Sequence, residues 1–495
     1  MLTPEYYFYC SDEAVELYSK LDETITRDIV RRIMMNEGKI TETAKWQIES
    51  ELQAGMLYDD VVSRVAESSG TSKRVVKKAF RKAGIKSVDF DNKIYRAAGK
   101  TPRELSMSPA AMSVLNAGIA KTNGSLHNLT MTTALGAQRT FIDACALAEL
   151  QITSGAMDPN TAINEAIKSV AETGSYVEYP SGKRDKIEVA VRRAVMTGIS
   201  QTTGEISLAN AREMETDLME ISAHAGARPS HAEWQGQIVS ISGDNTKYLS
   251  LSDIGYGDPG GFKGINCRHD WYPFIEGIST RAYTDKYLEE LNNRTVTYDG
   301  EEIPQYEAEQ RQRAMERQMR DERRKLAAYD EALKCTEDQK QKVDFETSFN
   351  DSSQKLKKYE RIYDDFSKQT SLPTLKERLK TQEYDNNISK KVADVDKKAQ
   401  EFNSLLGAKT STGVIVNEVG IHIRSRAIAR GESASDILNA LTNPLKSDKI
   451  RIDDSQQFIG EKSTVVINVK TGKLVTTWST SSSKAEKLKK KKGVS

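Results

Sequence analysis

The chain has 495 residues, of which 38% are hydrophobic and 29% charged, and its formal net charge is +1. That length suggests roughly three domains, and the apolar share supplies several modest cores. No apolar run approaches the roughly 18 residues of a membrane helix, the first residues lack the order of a secretory signal, and Cys10, Cys145, Cys267 and Cys335 stand without paired spacing, which points to a soluble protein of a reducing cytoplasm.

Residues 1–217 read as helical. "SDEAVELYSKLDETITRDIVRRIM" opens with a Ser-Asp cap and spaces Val15, Leu17, Leu21, Ile25, Ile29 and Ile33 at helical intervals. "TETAKWQIESELQAG" starts at a capping threonine and stops at a glycine, as does "GTSKRVVKKAFRKAGI". Helix, turn and basic helix also describe a DNA reader built on residues 71–84, although bundles with lysine on the wet face are commoner. Three further helices are expected in "TTALGAQRTFIDACALAELQI", "DPNTAINEAIKSVAETG" and "KIEVAVRRAVMTGISQTTGEISLANARE", with a strand-like hairpin in "YVEYPSGKRDKI".

Residues 218–304 change character. Short β-type runs and glycine turns fill "DLMEISAHAGARPSHAEWQGQIVSISGD" and "GYGDPGGFKGINCRHDWYPFIEG", as in a small α+β unit. Three of the five histidines, His224, His231 and His269, lie here with Cys267. Zinc takes four nitrogen or sulfur ligands, so these four are candidates for a structural zinc within 218–285. The spacings H-x6-H and C-x-H are not those of a zinc ribbon, and a hydrogen-bonded knot is the other reading. Residues 305–405 are dense in charge, with apolar positions such as Met315, Met319 and Leu326 too sparse for a full core face, which predicts a charged helical arm or hairpin.

The stretches "AHAGARPSHAEWQG" and "GYGDPGGFKGINCRHDWYPF" resemble those of phage minor capsid proteins of the second type, head proteins similar to the MuF family. The likeness extends through "MLTPEY", "ITETAKWQ", "YPSGKRDKIEVAVRRAV" and "QRAMERQMRDERRKL", roughly residues 1–380. "NCRH" stands where many MuF-like proteins carry Cys-Arg-Cys, with His269 replacing the last cysteine. The resemblance implies a structural protein made in the host bacterial cytoplasm and carried inside the capsid near the portal. Its expected partners are the portal and other capsid proteins, and its expected roles lie in head assembly and DNA packaging or ejection.

Beyond the "GAKTSTG" linker the chain turns basic. From residue 411 it holds 15 Lys and Arg against 8 Asp and Glu, a bias that suits a polyanionic partner. In "GIHIRSRAIARG", His422, Arg426 and Arg430 recur every four residues and so share a helix face. A second helix follows, capped by Ser433 and ending at Asn443-Pro444. Strands are expected in "KIRIDDSQQFIG", "STVVINVKTG" and "KLVTTWSTS", with a turn at Lys470-Thr471-Gly472. Thr477 and Ser479 share one side of the last strand. Metal-free RNA cleavage needs proton-transfer groups near neutrality and cations on the phosphorane, and imidazole, guanidinium and hydroxyl are suitable types.

The order of elements over 411–481 resembles the barnase/EndoU/colicin/RelE-like (BECR) nuclease domains, some of which are toxin modules fused to phage head proteins. That resemblance implies a metal-independent ribonuclease, needing no cofactor, with His422, Arg426, Thr477 and Ser479 as active-site groups; the helical spacing adds Arg430. A second proton-transfer group would have to be Glu418, Lys449, Arg451 or a hydroxyl. Arg424, Lys449, Arg451 and the lysines Lys489, Lys490 and Lys491 of the basic tail are candidate contacts to RNA or packaged DNA. The alternative is a module that grips nucleic acid or a partner without cutting. The overall expectation is a multidomain, predominantly helical α+β chain divided at 1–217, 218–304, 305–405, 411–481 and 482–495.

Overall fold

The computed structural model describes residues 1–36, 40, 42–375, 379 and 384–492. Its N-terminal body is built from α1 (Pro4–Tyr9), α2 (Asp12–Asn36), α3 (Thr43–Ala97), α4 (Pro109–Thr153), α5 (Pro159–Thr173) and α6 (Ile187–Glu213). Helix α4 starts where Ser108 Oγ accepts the Ala111 amide beside Pro109, and α5 where Asp158 caps Thr161 beside Pro159. A two-stranded hairpin, β1 (Val177–Glu178) with β2 (Arg184–Asp185), joins α5 to α6, as its alternation predicts.

The two short helices expected on either side of residue 55 are one helix of 55 residues. A glycine inside a helix costs about 1 kcal/mol, and α3 carries three such residues, Gly55, Gly70 and Gly84. Burial of Leu57, Val61, Val65, Val76, Phe80 and Ala83 along one stripe outweighs them. The basic segment 71–84 is therefore the middle of a core helix, with no turn before it. At Gly118 the lack of a side chain is required: a Cβ would lie 2.0 Å from Thr202 Oγ1 of α6, so this glycine lets α4 and α6 approach closely.

Helices α9 (Gln305–Cys335) and α10 (Gln339–Thr370) form the expected hairpin, but it is not a free arm. Met319, Leu326, Ala328, Tyr329 and Ala332 share one buried core with Ile25, Ile29, Ile163 and Ile167. Charge enters that core by pairing. Glu188 of α6 accepts from Arg324 at 3.0 Å and lies 3.7 Å from Arg320, while Arg27 reaches Glu331 at 3.2 Å. Helix α11 (Asn386–Glu401) lies against α10 and ends the body, adding Ile388, Val392 and Val395 to the same core.

The middle unit is a four-stranded sheet in the order β5-β4-β3-β6, from β3 (Leu218–Ile221), β4 (Ile238–Ser240), β5 (Leu249–Ser250) and β6 (Trp271–Pro273). Short helix α7 (Pro229–Ala232) precedes β4; α8 (Asp285–Asn292) and the hairpin β7 (Thr295–Tyr298) with β8 (Glu301–Pro304) follow β6. Its own core gathers Trp234, Phe262, Cys267 and Trp271.

The C-terminal module has the two expected helices, α12 (Ile421–Ala429) and α13 (Ala434–Thr442), and a sheet ordered β12-β11-β10-β9. Strands β10 (Ser455–Ile459), β11 (Ser463–Asn468) and β12 (Leu474–Ser479) pair antiparallel, and β9 is only Lys446–Ser447. Ile423, Ala427, Ile437, Leu441, Phe458, Val465 and Ile467 make a core separate from the body's. The basic tail forms a helix, α14 (Ser482–Lys492); its residues 493–495 lie outside the described part. Among the described residues no helix is long and apolar enough to cross a membrane.

Candidate metal centre and C-terminal basic site

The histidines and cysteine of the middle unit come from three places, the first being the loop after β3, which carries His224. Pro229 starts α7, which presents His231, and the chain entering β6 presents Cys267 and His269. All three are nearly closed to solvent, at 2%, 2% and 1% exposure. His231 Nδ1 lies 3.4 Å from His269 Nδ1, and Cys267 Sγ lies 3.9 and 3.6 Å from these two nitrogens. Burial holds His231 neutral, its pKa lowered to about 4, and pushes His269 well below its ordinary value; burial also raises the Cys267 thiol. His224, the fourth candidate, stacks on His269 at 4.4 Å, and its Nδ1 contacts the Ala225 carbonyl at 2.9 Å. The loop beneath is held by the buried Lys263–Asp270 pair. Gly261 is required there, since a Cβ would fall 2.0 Å from the Gly255 carbonyl oxygen.

The C-terminal candidates do not converge. His422 is 65% exposed and turns to α10, with Nδ1 3.4 Å from Asp351 Oδ2. Asn350 and Gln354 of α10 donate to the Ser425 carbonyl and hydroxyl at 3.1 and 2.8 Å, so this side of α12 is an interface. Arg430, eight residues along and hence about 12 Å up the helix, donates to the Thr477 carbonyl at 2.7 Å. Burial, and then the neighbouring charge of Arg426, lower its pKa. Arg426 itself is half-buried. Thr477 is buried and donates to Glu432 Oε2 at 2.9 Å, while Ser479 is exposed at the strand end. Arg424 is spent on the carbonyls of Val419 and Ala399 at 2.9 and 3.1 Å, which leaves it a bracing role. Arg451 bonds Gln457 and Lys489 pairs with Glu461; Lys449, Lys490 and Lys491 are exposed. Glu418 is paired with Lys473 at 2.7 Å.

The sequence profile described as phage minor capsid protein 2 matches residues 2–366. The chain belongs to that family. Among curated proteins, a structural protein of Lactococcus phage LL-H is 28% identical over 305 residues, covering 58% of this chain and 78% of its own. A structural protein of Lactococcus phage mv4 is 43% identical over 86 residues, 17% of this chain and 60% of its own. No solved structure matches. As a phage structural protein the chain is a component of the virion. The family match takes in the bundle, the buried histidine knot and most of the hairpin; the module from 402 onward lies beyond it.

Two residues that sequence reasoning passed over matter at these sites. Gln235 follows His231 by four positions in "SHAEWQ", the spacing that puts both on one helical turn, and its side-chain oxygen meets His269 Nε2 at 3.0 Å. Glu432, beside Gly431, is the acid of an otherwise basic segment. Burial raises its carboxyl.

Proposed function

We propose that this minor capsid protein is a structural element of the phage head that sits inside the capsid beside the portal, and that its C-terminal module binds nucleic acid without cutting it. The observation behind the second half is the division of labour on α12. His422 and Ser425 serve the contact with α10, whereas Arg430 and Thr477 meet about 12 Å away on the sheet side. A single phosphate cannot take all these groups at once. The charges most open to a polyanion include the lysines of α14, where Lys484, Lys487, Lys490 and Lys491 are exposed. Binding of this kind is driven by counterion release and weakens steeply with salt. The portal-side placement is supported by family membership and by the size of the helical body available for docking on capsid proteins.

A second reading keeps a metal-independent ribonuclease but moves its chemistry. Glu432 is favoured as the proton-transfer group because burial raises its carboxyl and because it bonds Thr477 beside Arg430. The full chain incubated with total RNA separates the two. Salt-dependent binding that falls with Lys487→Ala, Lys490→Ala and Lys491→Ala combined, with no 2′,3′-cyclic phosphate ends, supports the binding module. Cyclic ends that vanish in Glu432→Gln and persist in His422→Ala establish the second reading instead.

A further inference from the structure

We propose that His231 Nδ1, His269 Nδ1 and Cys267 Sγ hold a zinc ion in the middle unit. The first support is dimensional. Zinc–nitrogen bonds of about 2.0–2.1 Å and a zinc–sulfur bond of about 2.3 Å, at tetrahedral angles, set nitrogens about 3.4 Å apart and nitrogen from sulfur about 3.6 Å. The triangle here has edges of 3.4, 3.6 and 3.9 Å. Two edges match these lengths, and the third exceeds its value by about 0.3 Å.

The second support is where the protons must be. His231 Nε2 lies 2.8 Å from the Gly260 carbonyl oxygen, which can only accept, so that nitrogen carries the hydrogen. His269 Nε2 lies 3.0 Å from Gln235 Oε1. That amide cannot be turned round, because the same oxygen accepts the His224 backbone N–H at 3.0 Å while its nitrogen donates to Asn292. Both imidazoles are therefore Nε2–H tautomers, and both Nδ1 lone pairs face each other across the triangle. One thiol proton can satisfy one of them, and the other is left without a donor in a buried site. A cation at the centre satisfies both nitrogens and the sulfur, and the two outer hydrogen bonds are the kind that orient metal-bound histidines. A soft thiolate with two imidazoles favours zinc over the hard cations.

His224 is not a ligand in this assignment. Its ring lies within 28° of the His269 plane, displaced by a 4.4 Å centroid separation. Its in-plane lone pair therefore runs alongside the triangle, and the protein supplies three ligands. The ion would tie α7 to the start of β6 across the glycine-rich loop, a structural role beyond the reading given above for the C-terminal module.

The test uses the full chain, loaded with zinc and dialysed into metal-free buffer, with elemental analysis of the protein. About one zinc per chain is expected, with losses of tenfold or more in Cys267→Ser and His269→Ala and full retention in His224→Ala and Cys145→Ser. Cobalt(II) loading guards against variants that fail to fold: the wild-type protein should show intense tetrahedral bands and a thiolate-to-cobalt absorption. Folded wild-type protein that holds no zinc and gives only weak octahedral cobalt bands overturns the proposal. So does zinc retained equally by folded Cys267→Ser and His269→Ala, or zinc lost in folded His224→Ala.

Discussion

Replacing Glu188 by glutamine should loosen the whole helical body, because this carboxylate joins α6 to the hairpin. It is fully buried against Arg324 at 3.0 Å with Arg320 behind it. Burial alone would raise its pKa, but the two guanidiniums overcome that and hold it at about 2 rather than 4.5. At 1.36 kcal/mol per unit that difference corresponds to roughly 3 kcal/mol, the lower end of the about 3–5 kcal/mol expected when one partner of a buried pair is removed. The sign follows from the depression: the contribution is complete above pH 4.5 and disappears as pH falls towards 2. Urea unfolding of the full chain, followed by far-UV circular dichroism, measures it. Glu188→Gln should be less stable by about 3 kcal/mol at pH 7, and the gap should close between pH 4.5 and 2 as the wild-type carboxylate protonates. Asp22, raised by burial and further by the charge of Glu188 itself, should titrate lower in Glu188→Gln, which narrows the gap at neutral pH. A gap below about 0.5 kcal/mol at pH 7, the range of an ordinary surface substitution, would refute the reasoning, as would a gap that persists unchanged into acid.

Neighbouring glycines in the middle unit should respond differently to alanine. Gly261→Ala drives a Cβ into the Gly255 carbonyl and should cost about 1–3 kcal/mol or more, whereas Gly260→Ala meets no atom within 4 Å; equal unfolding midpoints for the two would contradict the close approach. Gln354→Ala strips the Ser425 hydroxyl of its donor and should cost about 1–2 kcal/mol. Because the contact joins α10 to α12, amide hydrogen exchange over 421–429 should quicken while that of β10 and β11 stays put. Unchanged exchange on α12 would mean that the interface does not hold the helix.

What could be read in advance depended on whether a residue's partner was local. Caps bounded α5 and α13 well, since Asp158 and Ser433 bond amides three residues on. Gly55 and Gly84 misled because a stop signal is weighed against burial along the far side of the same helix, and that burial is tertiary. The hairpin misled for a related reason. A helix as charged as "ERQMRDERRKL" reads as solvated, yet Arg324 and Glu331 are inside, paired with Glu188, Arg27 and Arg31 from elements more than a hundred residues away. The same limit separates the two candidate sites. Of the four candidates in the middle unit, His231, Cys267 and His269 bring their ligand atoms together, whereas His224 stacks on His269. The spacing of His422, Arg426 and Arg430 put them along one side of α12 but could not say that α10 and β12 divide that side between them. Periodicity assigns a residue to a face, and only the packing decides what the face meets. That distinction shifts the search for chemistry in the C-terminal module from His422, at an interface, to Glu432, which the four-residue spacing never touched.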